Sequence, residues 1–280
     1  MDTTLLHPLP RRGAVLREQL RTVGLSLRRE AVLAGGGMGA LSAWILAVNA
    51  RSPSSTIALV PDAMVPAVLV ALLAALLVWK GEDPARRGYH WSLPVDHADH
   101  ALAKALSGWA WLMAAIGGYV AWLGLMALAT GGDLGVESRW GMHGRVYDDV
   151  AAWRWLVPFA GATILYLFGT ALALASRHPW RWLGSAAVGY VFLAAWTAVL
   201  DGRRTPLHSM LQAVWGGTYG LRTALTGLAP LPGAYHPHGL FYAGSWGIAP
   251  SPGAWIGAAA LWTAGALAVA TLAAHRQPRG

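Results

Sequence analysis

The sequence predicts an all-α, polytopic membrane protein with six transmembrane helices, and three observations predict it. Hydrophobic residues make up 55% of the 280 and charged residues only 12%, where a soluble domain carries about 25% charged residues. Six apolar runs contain no Asp, Glu, Lys, Arg or His, and their lengths approach the roughly 20 residues a membrane helix needs. Tryptophans gather near the ends of those runs, at Trp79, Trp109, Trp111, Trp153, Trp155, Trp180, Trp182 and Trp255, as interfacial anchors do.

The elements follow in order within a single transmembrane domain, 1–280. Residues 1–30 form a cytoplasmic segment in which Leu16, Leu20, Val23 and Leu27 alternate with Arg17, Arg21 and Arg28, the pattern of an interfacial helix on an anionic leaflet. The apolar run begins too late for a signal peptide, and no cleavage site fits. Span one, Ala31–Ala50, carries Gly35 and Gly39 in a G-x-x-x-G arrangement, which predicts a helix-packing face. Span two is Met64–Trp79, and a cytoplasmic loop, 80–107, leads to span three, Gly108–Thr130. A moderate external loop, Gly131–Arg154, precedes span four, Trp155–Ser176, and the short link Arg177–Arg181 precedes span five, Trp182–Leu200. The long external region 201–253 comes before span six, Ala254–Ala274. Within it Leu207, Met210, Leu211, Val214, Trp215 and Thr218 follow helical spacing, while Gly216, Gly217, Gly220 and Arg222 make 207–228 a poor full span. An amphipathic or re-entrant helix is expected there.

Charge sets the orientation. With six spans, fourteen Lys and Arg fall on the side of the termini and seven on the other, so the positive-inside rule puts both termini in the cytoplasm. The net charge of +8 is thereby explained without nucleic acid. The absence of cysteine excludes disulfides, thiolate metal sites and cysteine nucleophiles.

The end of the loop 80–107 and the start of span three read "HWSLPVDHADHALAKALSGW", His90–Trp109. Pro94 pushes Leu93 toward an extended conformation. Asp96 suits an N-cap, and Asp99 complements the helix start. Beyond it Ala98, Ala101, Leu102, Ala105, Leu106 and Trp109 define one face, and His97, His100, Lys104 and Ser107 the other. The expectation is a short capped helix on the cytoplasmic surface, its polar stripe turned to a soluble partner.

These residues resemble a segment of ABC-2 type transporter permeases, loosely L-P-[VI]-S-R-x-x-x-x-x-A-K-x-L. Leu93, Pro94, Val95, Ala103, Lys104 and Leu106 match it, while Asp96-His97 replaces the usual Ser-Arg pair. The layout of an N-terminal interfacial helix, six spans and a long region before the last one is similar as well. The resemblance implies the permease subunit of an exporter in the bacterial cytoplasmic (inner) membrane. It also implies a second permease copy or paralogue around a central path, and contact with membrane lipids. Leu93, Pro94, Val95, Asp96, His97, His100 and Lys104 would form the coupling helix that docks on an ABC ATPase subunit. No cofactor is implied. A P-loop needs Gly-Lys-[Ser/Thr], and the two lysines, Lys80 before Gly81 and Lys104 before Ala105, cannot supply it. ATP hydrolysis is therefore expected on a separate chain, and the uncharged spans suit an apolar or amphipathic substrate.

Other readings stand beside this one. A membrane-embedded transferase would need titratable groups converging at the surface. A structural or cofactor-associated subunit of a larger complex fits the tryptophan content, although no histidine within a span could ligate haem. Charge-free spans disfavour an ion channel. His97 with His100, or His236 with His238, could hold a metal, but the i, i+3 spacing and the Pro-rich loop favour plain docking and loop roles. Tyr147, Asp148 and Asp149 read as capping the helix into span four in preference to a cation site.

Overall fold

A computed structural model describes residues 12–53, 56–61, 65–80, 97–141, 144–199, 210, 213–230, 247–248 and 250–275. The helices are α1 (Arg12–Ser26), α2 (Arg28–Arg51), α3 (Val65–Val78), α4 (His97–Thr130), α5 (Val157–Ala175), α6 (Pro179–Val199), α7 (Leu221–Thr226) and α8 (Pro252–His275). Two small antiparallel pairs accompany them: β1 (Val136–Gly141) with β2 (Gly144–Asp149), and β3 (Ala229–Pro230) with β4 (Gly247–Ile248).

Among the described residues, four helical stretches are long and apolar enough to cross a bilayer: Arg28–Arg51, Asp99–Thr130, Ala152–Ala175 and Pro252–His275. Helix α3 has 14 residues, fewer than the roughly 20 a perpendicular crossing needs, and α6 lies outside that set of four. Large apolar side chains stay uncovered around the bundle, among them Val32, Trp44, Leu128, Val188, Phe192 and Leu272. Apolar surface on this scale is what lipid, and not water, would cover. The chain has the make-up of a membrane-embedded helical protein.

The core is built on α5. It packs most extensively against α3 and α8, and eleven of its residues are buried. Small residues bring the axes together. A Cβ at Gly169 would lie 2.7 Å from the Ala75 Cβ and 3.0 Å from the Leu72 carbonyl oxygen. A Cβ at Gly161 would lie 3.1 Å from both the Leu225 carbonyl oxygen and a Val68 methyl. Close backbone approach gains dispersion contacts that lipid cannot outcompete. Ala71, Ala75, Leu76 and Val78 of α3 meet Ala162, Tyr166, Ala173 and Leu174 of α5 in one buried cluster.

Helix α2 behaves differently: none of its residues is buried. Gly35 and Gly39 have no atom within 4 Å of a built Cβ, so the expected helix-packing face meets no other described part of this chain. The close glycine contacts belong instead to α5.

Helix α1 carries the expected two faces. Arg17, Arg21 and Arg28 are exposed, whereas Leu16, Leu20 and Leu27 are half-buried and Val23 is buried. Protein meets much of the apolar face: the Trp111 indole donates to the Leu20 carbonyl at 2.9 Å, and the Trp111 ring lies against Gly24. The break between α1 and α2 is slight. Leu27 still donates to the Val23 carbonyl and accepts from Ala31.

At the opposite end, the start of the α2–α3 connection is stitched to the residues after α4. Ile57 donates its backbone N–H to Thr130 Oγ1 at 3.1 Å, and Leu59 exchanges backbone bonds with Asp133 and Gly135. Gly131 and Gly135 take left-handed φ values of 69° and 73°, which glycine adopts without steric cost. The β1–β2 hairpin follows. Hydropathy gives no hint of it, because Glu137, Arg139 and Arg145 interrupt the β-favouring Val136, Trp140, Val146 and Tyr147. Asp148 pairs with Glu137 and Asp149 with Val136 across the ladder. The 3₁₀ turn Ala152–Leu156 starts from Ala151 with no side-chain cap.

Candidate functional site

Besides the buried Arg154, Thr130 and Thr170, two places among the described residues bring polar side chains into the bundle. The first is the α1 end of α4. This helix begins at His97, with Asp99 in its first turn, directly after the proposed cap. Leu93, Pro94, Val95 and Asp96, with the side chain of His97, lie outside the described residues. Helix α4 is not the short surface helix expected here. It runs unbroken for 34 residues, about 50 Å at 1.5 Å per residue, against a hydrocarbon core of about 30 Å.

The faces of its first turns differ from expectation, although Ala101 and Ala105 do pack on the core. Lys104 is only 8% exposed and Ser107 is fully buried, whereas Leu102, Leu106 and Trp109 are exposed. The periodicity is as read; its direction is not. In water the apolar face turns inward, but beside lipid the apolar face turns outward and polar groups seek partners in the protein. Those partners are present. Lys104 Nζ sits 5.1 Å from the centroid of the Trp79 ring at the end of α3, a cation–π arrangement. The Ser107 hydroxyl donates to the Ala103 carbonyl at 2.7 Å. His100 Nδ1 lies 3.5 Å from Gln19 Nε2 on α1. Lys104 and Ser107 are therefore not presented to a soluble partner, and His100 is half-buried beside α1.

Helix α5 completes the arrangement. Its buried Tyr166 donates a hydrogen bond to the Ala105 carbonyl at 2.9 Å, in space that Gly108 leaves open beside the hydroxyl. One turn on, the Trp109 indole donates to Thr163 Oγ1 at 3.0 Å. The first turns of α4 are thus tied to α1, α3 and α5 together.

The second place is the segment 213–230, which turns back into the bundle between α5 and α8. Ala224 is buried against Ile164 and Ala258, with Leu221, Leu225, Phe168 and Trp262 around them. The Trp262 indole donates to the Tyr219 carbonyl at 2.9 Å. Trp262 stands ten residues after Pro252, so the segment reaches about 15 Å along α8. Gly227, at φ 65°, returns the chain to the start of α5 beside Val157. The turn at the bottom satisfies its backbone internally. The Thr223 hydroxyl donates to the Gly217 carbonyl at 3.0 Å, Gly220 donates to Gly217, and Ala224 donates to Gly220. Irregular backbone at this level requires such internal pairing. Arg222 is half-buried on this segment.

Among the described residues no three His, Asp or Glu gather to hold a metal; His236 and His238 lie outside them. Sequence reasoning missed Trp79 as a partner of Lys104, Tyr166 as a tie, and Gly161 and Gly169 as contact points. A lone tyrosine inside an apolar run was the one available signal for Tyr166. No family model, curated protein or solved structure matches this chain.

Proposed function

We propose that the chain is the transmembrane permease subunit of an ATP-driven ABC exporter, energised by a separate ATPase chain and moving an apolar or amphipathic substrate. The observation that carries the reading is the Leu93–Leu106 stretch, whose residues resemble the coupling segment of ABC-2 type permeases. In this reading α3 and α6 complete six spans, both termini are cytoplasmic, and a second permease copy or paralogue shares the central path. Docking falls on Leu93–His97, ahead of the buried Lys104. Closure of the ATPase pushes the start of α4, and the ties through Trp79, Gln19 and Tyr166 carry α3, α1 and α5 with it.

The test is a paired substitution on that lead-in, Asp96→Ala with His97→Glu. Loss of the cap costs about 1 kcal/mol locally, and the charge change disturbs complementarity with the partner. The expected result is a chain that inserts and melts as the parent does, yet no longer copurifies in mild detergent with an ATP-hydrolysing chain or stimulates it. A parent chain that captures no such ATPase, or a variant that keeps full capture and stimulation, would sink the reading.

A further inference from the structure

Among the described residues, Arg222 has no counter-charge on the helices it packs with. From Gly202 to Gly280 the chain contains no Asp or Glu, and neither α3 nor α5 contains one. Helix α7 packs on α5 and α8, so every helix around it is free of acid. No hydrogen bond or ion pair joins the Arg222 guanidinium to another described residue.

Its level in the bundle makes this unusual. Ala224, two residues on, meets Ile164 and Ala258, which stand seven and six residues into α5 and α8. That is about 10 Å below the ends of those helices. Leu221, Ala224 and Leu225 supply the face packed on that cluster. At 100° per residue, Arg222 and Thr226 fall together on the side turned away from it. Because α7 climbs from Tyr219 toward Gly227, the Cα–Cβ bond of Arg222 leans toward the deeper end, as bonds tilt to a helix N-terminus. At this level an uncompensated charge is expensive and marks a site.

We propose that Arg222 binds the phosphate of a phospholipid or similar phosphorylated amphiphile lodged against the outward side of the re-entrant segment. The guanidinium fork matches two phosphate oxygens at once. Lipid tails cover the neighbouring apolar surface, and the half-exposed position leaves the group within reach. Inorganic phosphate would have to shed its water to enter, whereas a lipid brings its phosphate already beside an apolar body. The inference rests on the membrane setting of the helices and does not require the permease reading.

Native mass spectrometry of the full chain in detergent tests it, with four probes added in turn: phosphatidylglycerol, phosphatidylethanolamine, diacylglycerol and inorganic phosphate. Both phospholipids should be retained and diacylglycerol should not. Arg222→Gln should weaken phospholipid retention by roughly tenfold, the scale of one lost charge-assisted contact. Arg222→Lys, which keeps the charge but not the fork, should fall between, and serves if the glutamine variant does not fold. Equal retention of diacylglycerol and phosphatidylglycerol would overturn the proposal. So would unchanged phospholipid retention in Arg222→Gln, which would place the compensating charge within the protein. Competition by millimolar inorganic phosphate would reassign the site to soluble anions.

Discussion

Helices α2 and α5 both qualify as membrane spans, and both carry glycines within an apolar run. Yet α2 buries none of its residues, while α5 buries eleven and organises the core. The difference lies in what the glycines face. Gly161 and Gly169, eight residues apart, lie on one side of α5 and admit the backbones of Leu225 and Leu72. Gly35 and Gly39, four apart, open onto nothing described in this chain. Removing a side chain allows close approach; it does not supply a neighbour.

The largest effect should come from Gly169→Leu. Its Cβ alone would fall 3.0 Å from the Leu72 carbonyl oxygen, and backbone cannot yield as a flexible side chain does. Overpacking of this kind costs about 3 kcal/mol or more, so the purified chain should lose a cooperative melt or drop sharply in Tm. A Tm within error of the parent would mean that the α3–α5 crossing is looser than described.

Next in size is Tyr166→Phe. It removes the second hydrogen bond to the Ala105 carbonyl, which keeps its bond within the helix, and one net hydrogen bond is worth about 0.5–1.5 kcal/mol. The melt should shift down while the chain remains monodisperse. Gly108→Ala in the same background should not restore stability, because its Cβ would still lie 2.8 Å from a Val78 methyl.

The smallest intrachain effect should follow Gly35→Leu with Gly39→Leu. With no neighbouring atom to displace, the folding change should stay within about 0.5 kcal/mol. Light scattering in detergent then sharpens the contrast with α5. A smaller particle at an unchanged Tm would show that this face meets a second chain, and an unchanged particle that it meets lipid.

The ends of most apolar helices were legible in the sequence because bilayer burial acts on every residue of a run. The start of α4 at His97, eleven residues before the expected Gly108, was not. Expected spans Ala31–Ala50 and Ala254–Ala274 sit inside α2 and α8, within three residues of the helix ends at Arg28, Arg51, Pro252 and His275. Direction was not legible. The stripe through His100, Lys104 and Ser107 was found by its spacing, but spacing is the same whether lipid or protein takes the apolar side. Lys104 turns inward because Trp79, far away in sequence, waits there. Likewise the glycines and Arg222 in 207–228 argued against a crossing, but they said nothing of where the segment would lie. Its depth between α5 and α8 depends on Trp262 reaching Tyr219, a pairing no local pattern contains.

The exposed helix α2 has one more consequence. Beyond its junction with α1, polar links tie it to α4, among them two at different heights: the Trp122 indole donates to Ser42 Oγ at 2.8 Å, and the Asn49 side-chain amide donates to the Thr130 carbonyl at 3.4 Å. Links of this sort are worth about 0.6 to 2 kcal/mol in a membrane, and each fixes a height along the helix. Like two rungs of a ladder, they set the lengthwise registry of α2 against α4 without pressing the rails together. In a thicker or thinner bilayer the pair must therefore tilt as one, and the acyl chains between the rungs take up the change.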